Sequence, residues 1–401
     1  MNLKEICEQL INNLVKYKSI LIYIKGSPDP DVIASSYALK LICESAGLHA
    51  SITAPIKPSL PQNSAIINEL DIPIRFESSA EKLSGYDAYA VLDFQSAEVN
   101  GLTGKIPCVV HIDHHEQIEE DIEKDFKLIV EEAGSISSLF SLIIRIIEAD
   151  PSVTVYTEKE NRSFIKKKRG TKKSANPQGE KEITLIKFDE NILKKVCTAL
   201  QYGIYADTDS YRHANSIDFE ALKYVSFYSD KIIINHIIGL PLPDYIHGLM
   251  STALNNMEDY KNWIITGIGF IDESRRDSIP IIADYLLKRY KASVVIVFAA
   301  VIINKSRGLK LDASFRTEDE KTDLDMLIKE ITQSGGGRKY KGAYQVDLNY
   351  FADTPDKDML WGLIKSTTFT RIKHLRDNSQ FIEIKGFYKR IKRKAEKIFK
   401  Y

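Results

Sequence analysis

The sequence predicts an α/β fold: a parallel-sheet N-terminal domain with a second, smaller α/β domain. Three observations lead there. Short β-branched apolar runs alternate with segments of helical period through the first half, which is the pattern of a parallel sheet. The alternation resumes after a polar stretch near residue 240. The 401 residues suit two or three units, at about 100–200 residues each.

In chain order, residues 20–24 (Ile-Leu-Ile-Tyr-Ile) read as a buried strand that stops at Gly26-Ser27-Pro28. Residues 32–46 have helical period, with Ile33, Tyr37 and Leu41 on one face and Lys40 and Glu44 on another. Residues 88–92, 108–112 and 203–206 repeat the strand signal, and 136–148 read as a helix with a continuous apolar face. Ligands of such sheets collect beyond the carboxyl ends of the strands. Between 157 and 182 the pattern breaks down into Lys166-Lys167-Lys168-Arg169, Lys172-Lys173 and a polar run, expected as a mobile basic surface insertion. Residues 229–262, through Gly239-Leu240-Pro241-Leu242-Pro243, read as a connector. Strands at 263–271 and 293–303 and a helix at 279–290 follow, then Ser334-Gly335-Gly336-Gly337-Arg338. The expected domains are therefore 1–228, 263–350 after the 229–262 connector, and a basic extension over 351–401 whose tail interleaves Phe387, Tyr388, Ile391, Ile398 and Phe399 with lysines.

Composition excludes several classes. Hydrophobic residues at 44% and charged residues at 27% are those of a globular protein with a real core. Fifty-five Lys plus Arg balance fifty-five Asp plus Glu, so no net field draws the chain onto long nucleic acid or a membrane surface. The four cysteines (Cys7, Cys43, Cys108, Cys197) form no CxxC pair, against both a disulfide framework and a zinc knuckle. The longest apolar run, 292–303, is shorter than the roughly 18–20 residues that span a bilayer. With no basic-then-apolar start, a cytoplasmic setting is expected.

Chemistry concentrates in four acidic or histidine clusters, each expected at a strand end. They are Pro28-Asp29-Pro30-Asp31, held extended by its prolines; Asp93; Asp113-His114-His115; and Asp207-Thr208-Asp209. One such Asp is ordinarily a helix cap or turn residue. Four in series are hard to explain by capping, and converging carboxylates repel unless a positive charge sits between them. Oxygen-rich sets with an imidazole suit Mn²⁺ or Mg²⁺ better than thiol-preferring metals.

The order Pro-Asp-x-Asp, isolated Asp, Asp-His-His, Gly-Ile-x-x-Asp-Thr resembles the DHH phosphoesterase superfamily, and Gly-Gly-Gly-Arg resembles the glycine-rich motif of the DHH-associated C-terminal domain. Its members include RecJ-like nucleases, nanoRNases, 3′-phosphoadenosine 5′-phosphate phosphatases and cyclic-di-AMP phosphodiesterases. The resemblance implies that Asp29, Asp31, Asp93, His114 and Asp207 are manganese ligands, with Asp93 and Asp207 bridging two ions about 3.5–4 Å apart. It implies that Asp113, His114 and His115 are catalytic, with Asp113 and His115 supporting the site from outside the ligands. The expected activity is manganese-dependent hydrolysis of short oligonucleotides or small cyclic or linear nucleotides by metal-activated water. The expected partner is that substrate, and a homodimer is compatible with the family.

The sequence departs from the family at two places. The family's histidine four residues before the first Asp is Lys25 here. An ammonium has no lone pair for a metal, so one metal position is expected to be weakened, or Lys25 to face the phosphate itself. A nucleotide-binding regulator with a degenerate metal site is the alternative this raises; an inorganic pyrophosphatase is a further one. The family's Gly-Gly-Gly-His is Gly335-Gly336-Gly337-Arg338; consecutive glycines let backbone N–H groups approach an anion, and Arg338 can grip phosphate in a fork. Ser314-Phe315-Arg316 resembles a family strand whose arginine contacts nucleotide, and Arg212 is expected to orient substrate. These nucleotide-directed features speak against the pyrophosphatase.

Overall fold

The computed structural model describes residues 2–58, 60–83, 85–115, 122–158, 178–303, 308–319, 321–333, 335–337 and 340–398. The chain divides into two units, Met1–Pro241 and Leu242–Tyr401.

The first unit runs α1 (Leu3–Leu14), β1 (Ser19–Tyr23), α2 (Pro30–Ser45), β2 (His49–Ala54), α3 (Pro61–Glu69), β3 (Ile74–Phe76), β4 (Ala88–Leu92), β5 (Cys108–Asp113), β6 (Lys124–Ile129), α4 (Ile136–Ala149), a hairpin of β7 (Ser152–Glu158) and β8 (Gln178–Thr184), α5 (Glu190–Asp207), α6 (Ser216–Tyr228) and α7 (Lys231–Gly239). Its sheet has the order β3-β2-β1-β4-β5-β6, with every pairing parallel. The order reverses between β1 and β4, and that reversal opens a crevice past their carboxyl ends. Alternate residues of the central strands divide between two cores. Ile20, Ile22, Ala88, Ala90 and Leu92 face the helices, whereas Leu21, Tyr23, Tyr89 and Val91 face a cover made by the segment around Ala80, Leu83, Val99 and Leu102.

Two expectations change here. The chain before Asp207 is helical, not a strand: Leu193, Val196, Cys197, Leu200 and Ile204 are buried at helical spacing, and the short apolar stretch at 203–206 is only the last turn of that stripe. Of Asp29 and Asp31, only Asp29 keeps an extended backbone. Asp29 is the N-cap of α2, accepting Val32 N–H at 3.0 Å, Pro30 opens the helix, and Asp31 sits in its first turn.

The second unit runs α8 (Asp244–Asn256), β9 (Glu258–Tyr260), β10 (Trp263–Asp272), α9 (Ser278–Arg289), β11 (Val294–Ile303), β12 (Gly308–Thr317), α10 (Leu324–Lys329), β13 (Gly335–Gly337), β14 (Lys341–Asp347) and α11 (Lys357–Ile398). Its sheet, ordered β13-β14-β12-β11-β10-β9, is mixed: β10 and β11 run parallel and the other pairs antiparallel. Helices α8 and α9 pack on one face; α10 and α11 pack on the other. Residues 229–262 are thus not a free connector: Ile234 and Ile237 of α7 are buried in the first core, and Ala253 of α8 in the second. Nor is 351–401 wholly an extension, since Leu360, Ile364, Phe369, Ile372 and Leu375 of α11 are buried in the second unit. Most of the basic insertion, residues 159–177, lies outside the described residues.

Candidate functional site

Three segments leave the ends of β1, β4 and β5 beside the crevice, and α5 brings a fourth. After β1, Lys25 precedes the α2 cap, and Asp31 follows in the first turn of the helix. Asp31 is almost wholly buried, and its two oxygens accept backbone N–H groups from the start of α4, Ile136 N to Oδ2 at 2.9 Å and Ser137 N to Oδ1 at 2.8 Å. An Asp at the positive end of a neighbouring helix is held without needing a cationic side chain. The helix start after Gly134-Ser135 therefore faces an anion supplied by the chain itself.

Asp93 ends β4. Its N–H still pairs with Ile112 O at 3.0 Å, but its φ of 52° turns the chain out of the sheet. Aspartate tolerates this left-handed region better than most residues. The loop that follows is pinned at several points. His111, buried in β5, donates Nε2–H to Phe94 O at 2.7 Å. Lys25 donates from Nζ to Ser96 O at 2.9 Å and to Glu98 O at 2.6 Å, with its ammonium 4.2 Å from the centre of the Phe94 ring.

The Asp113-His114-His115 run ends β5, and each of its side chains has a different task. Asp113 is buried, and its Oδ1 accepts from His114 N (2.8 Å), His115 N (3.2 Å) and His115 Nδ1 (2.5 Å). Burial pushes its pKa up, but the His115 hydrogen bond and charge outweigh that and leave the carboxyl below its usual range. His114 donates Nδ1–H to Ala133 O at 2.9 Å. A carbonyl only accepts, so the proton is on Nδ1 and Nε2 keeps a lone pair with which to ligate. That Nε2 lies 3.3 Å from Asp93 Oδ1 and 3.1 Å from Asp207 Oδ2.

Asp207 is the last residue of α5, which crosses close to the start of α2 at Gly203. A Cβ on Gly203 would stand 2.3 Å from Ser137 Oγ and 3.3 Å from Asp31 Cα. Beyond Asp207 the backbone passes through three consecutive left-handed residues, Asp209, Ser210 and Tyr211, before Arg212. Asn215 and Asp218 then form a capping box on α6, and buried Asp218 also accepts Gly134 N–H and the Ser138 hydroxyl, tying α6 to α4.

Two groups of side chains could each hold a metal: Asp31, His114 and Asp207, and Asp93, His114 and His115. Between them the groups hold three carboxylates and two imidazoles, an oxygen-rich set that suits a hard divalent cation. Asp93 Oδ1 is fully buried and has no hydrogen-bond partner, the state of an oxygen whose partner is an ion. Without a cation, burial and the Asp93 and Asp207 carboxylates push the Asp31 pKa well up. Asp29, expected among the ligands, joins neither group; its Oδ1 caps α2.

The expected substrate-binding residues are dispersed. Lys25 holds the loop after Asp93, as above. Arg212 lies 3.6 Å from Asp209. In the second unit, Arg316 bonds Asp284 from Nε at 2.5 Å, and Ser314 Oγ and Phe315 O from Nη1. Gly335, Gly336 and Gly337 form β13 instead of an anion-binding loop. A side chain at Gly335 would strike Tyr344 and Ile328, and Gly337 N–H is taken by the Asp325 carboxylate at 3.1 Å. These glycines permit close packing beside an acid, which disfavours a phosphate there. Arg338 lies outside the described residues. Sequence reasoning gave no role to Ala133 or His111; Gly203 entered only within the Gly-Ile-x-x-Asp-Thr motif, and its packing role carries one signal, a glycine inside a helical pattern.

No protein-family model matches the chain. An uncharacterised protein of Methanocaldococcus jannaschii is 26% identical over 360 residues, 89% of this chain and 64% of that protein, so the chain spans under two thirds of its length. Among solved structures, an exopolyphosphatase-related protein from Bacteroides fragilis matches with a TM-score of 0.63 at 15% identity, over 94% of this chain and 98% of that one; the fold is shared. RecJ in complex with Mn²⁺ from Thermus thermophilus matches at a TM-score of 0.41 and 11% identity, over 93% of this chain and 54% of that one, too distant to carry an argument. Among the described residues, no helix is long and apolar enough to cross a membrane.

Proposed function

We propose that this chain is a DHH-type phosphoesterase that uses a divalent cation, Mn²⁺ in preference to Mg²⁺, to hydrolyse short oligonucleotides or small nucleotides. One observation carries the reading: two metal-competent groups, Asp31–His114–Asp207 and Asp93–His114–His115, meet at His114 beside a buried, unpartnered Asp93 oxygen. The motif order and the shared two-unit fold support it. A cation held by residues of these groups would supply Lewis acidity, acidifying water and drawing charge from a phosphoryl oxygen.

The rest belongs to the chain's own groups. Ala133 fixes the His114 tautomer so that Nε2 presents a lone pair. The start of α4 fixes Asp31. Asp113 accepts a hydrogen bond from His115 Nδ1–H, which leaves Nε2 of a ring that is about one-fifth exposed to hold or release a proton at the leaving oxygen. Substrate is held from outside the cluster by cationic side chains, with Arg212 the candidate in this unit.

The test is a Mn²⁺-dependent activity panel of pApA, cyclic di-AMP, 3′-phosphoadenosine 5′-phosphate and short RNA on wild type, His114→Ala and Asp93→Asn. Hydrolysis of at least one by wild type, lost by about 10³-fold or more in both variants, is expected. Turnover undiminished in either variant would end the reading.

A further inference from the structure

The acidic cluster stands on the helix side of the β1–β4 crevice, where α2 and α5 carry Asp31 and Asp207. On the other face of the sheet, past the end of β1, lies a cavity of about 380 Å³ between the connection from β3 to β4 and the loop after β4. Its walls are fixed by the chain itself. Val99 N–H donates to Thr103 Oγ1 at 2.8 Å, and the Tyr89 hydroxyl reaches Thr103 Oγ1 at 2.9 Å and Ala97 O at 3.2 Å. Gly101, at a φ of 90°, lets this loop close on the facing wall, where a Cβ would stand 2.8 Å from Glu81 Cγ. The site is thus formed before any ligand arrives, at the strand-order reversal where such sheets bind ligands. Tyr23 lines it from β1 and is only 8% exposed, its ring packed in a core with Ala80 and Val99. A phenol buried to this extent ordinarily has a hydrogen-bond partner. Among the described residues the Tyr23 hydroxyl has none, and it opens into the cavity. Burial pushes its pKa up, so it stays protonated and both donates and accepts.

The charge around the cavity selects the class of ligand. Glu81 and Glu98 set two carboxylates against one ammonium, Lys25, which already bonds the Ser96 and Glu98 carbonyls. That balance disfavours a phosphate. Ser78, Ser79 and Asn100 add neutral donors and acceptors. A neutral group rich in hydroxyl and amide-like functions fits both the lining and the volume, which lies within the roughly 300–1,000 Å³ of small-molecule sites. We propose that this cavity is a specificity site for the nucleoside part of the substrate, its sugar hydroxyls and base edge, with the Tyr23 hydroxyl as the buried contact. The inference rests on the phosphoesterase reading above and deepens it: the cluster takes the phosphate and the cavity takes what the phosphate is attached to. The two sites adjoin at the ends of neighbouring strands, since β1 pairs with β4, and Lys25 and Asp93 follow directly from them.

Two variants test this in the full chain. Tyr23→Phe removes the hydroxyl and keeps the ring; Ser78→Trp, at an exposed position, places an indole in the cavity. Steady-state kinetics with Mn²⁺ compares the nucleotide that wild type hydrolyses best with bis(p-nitrophenyl) phosphate, an ester with neither sugar nor base. For the nucleotide, KM is expected to rise about 3–10-fold in Tyr23→Phe and further in Ser78→Trp, with kcat near the wild-type value. The nucleoside-free ester is expected to show neither loss. Equal losses on the two esters, or a nucleotide KM unchanged in both variants, would overturn the site and leave the phosphoesterase reading standing. Binding is read without turnover by saturation-transfer NMR of adenosine and guanosine on the metal-free chain; having no phosphate, they are not repelled by the acidic cluster. A signal from at least one nucleoside, lost in Ser78→Trp, is expected. That result with no hydrolysis of any ester would keep the nucleoside site and end the phosphoesterase reading. No signal from either nucleoside on wild type would overturn the site.

Discussion

Replacing Gly203 with alanine probes the point where α5, α2 and α4 meet beneath the candidate site. Taken alone, the change favours the helix by about 1 kcal/mol, because Gly203 lies inside α5 and alanine is the better helix former. The added methyl, however, would lie 2.3 Å from Ser137 Oγ, 3.1 Å from Ser137 Cβ and 3.3 Å from Asp31 Cα. The hydroxyl can rotate away, but only by giving up its place in a buried serine group with Ser35 and the Asp31 carbonyl. The two carbon atoms belong to the helices themselves, so their crowding relaxes only if the helices separate by a few tenths of an ångström. Overpacking of this kind costs about 1–3 kcal/mol, so the net change is a loss of about 0–2 kcal/mol. The larger effect is expected on the site, since Asp31 and Asp207 stand on the two elements forced apart: Mn²⁺ affinity should fall by about 10-fold. Urea unfolding in chelator gives the first quantity and calorimetric titration the second. Adding Ser137→Ala, which removes the nearest obstructing atom, should recover part of both. A Gly203→Ala protein more stable than wild type, with unchanged Mn²⁺ affinity, would refute the packing argument.

Other outcomes follow from individual contacts. Asp218→Ala strands Gly134 N–H, Asn215 N–H and the Ser138 hydroxyl in the interior and should cost about 3 kcal/mol or more in urea unfolding. Asp230 caps α7, and the Lys194 hydrogen bond, then the Ile233 and Ile232 N–H groups, hold its carboxyl below the usual range. Its contribution is therefore complete above the unfolded value of about 3.9 and fades as pH falls through the lower folded value. The penalty of Asp230→Ala, about 1 kcal/mol at pH 7, should shrink when unfolding is followed into acid. Burial pushes the thiols of Cys7, Cys43 and Cys197 up to about 12, so at pH 8 their thiolate fraction is on the order of 10⁻⁴. A disulfide reagent should leave all three unmodified in the native chain and react with them in denaturant.

Much of the fold was legible because its central strands are buried on both faces. Residues 88–92, 108–112 and 263–271 are unbroken apolar runs ended by polar residues, and the strands lie there within a residue or so. The run before Asp207 misled because four residues of a helical stripe, cut by a glycine, look like a short strand. The site was legible as a set of residue types: Asp31, His114 and Asp207 come together, as do Asp93, His114 and His115. What each carboxylate does was not. Asp29 and Asp31 are two positions apart, yet one caps its own helix and the other reaches the start of a different one, a distinction that depends on where α4 lies. Gly335-Gly336-Gly337 shows the same limit, since a glycine run that clears space for an anion and one that clears space for Ile328 and Tyr344 read alike.

The Asp31–α4 contact has a consequence for how phosphate can be recognised. Many phosphate sites draw their attraction from the open amino end of a helix. In this chain that end is already neutralised from within, by a permanent side chain at 2.8–2.9 Å. Under the proposed function, an incoming phosphate would find no electropositive backbone at α4 and would meet a patch of acids instead, which would repel it until metal is present. On that reading, loading of the ion would precede capture of the substrate, and stripping the metal should abolish nucleotide binding as well as turnover.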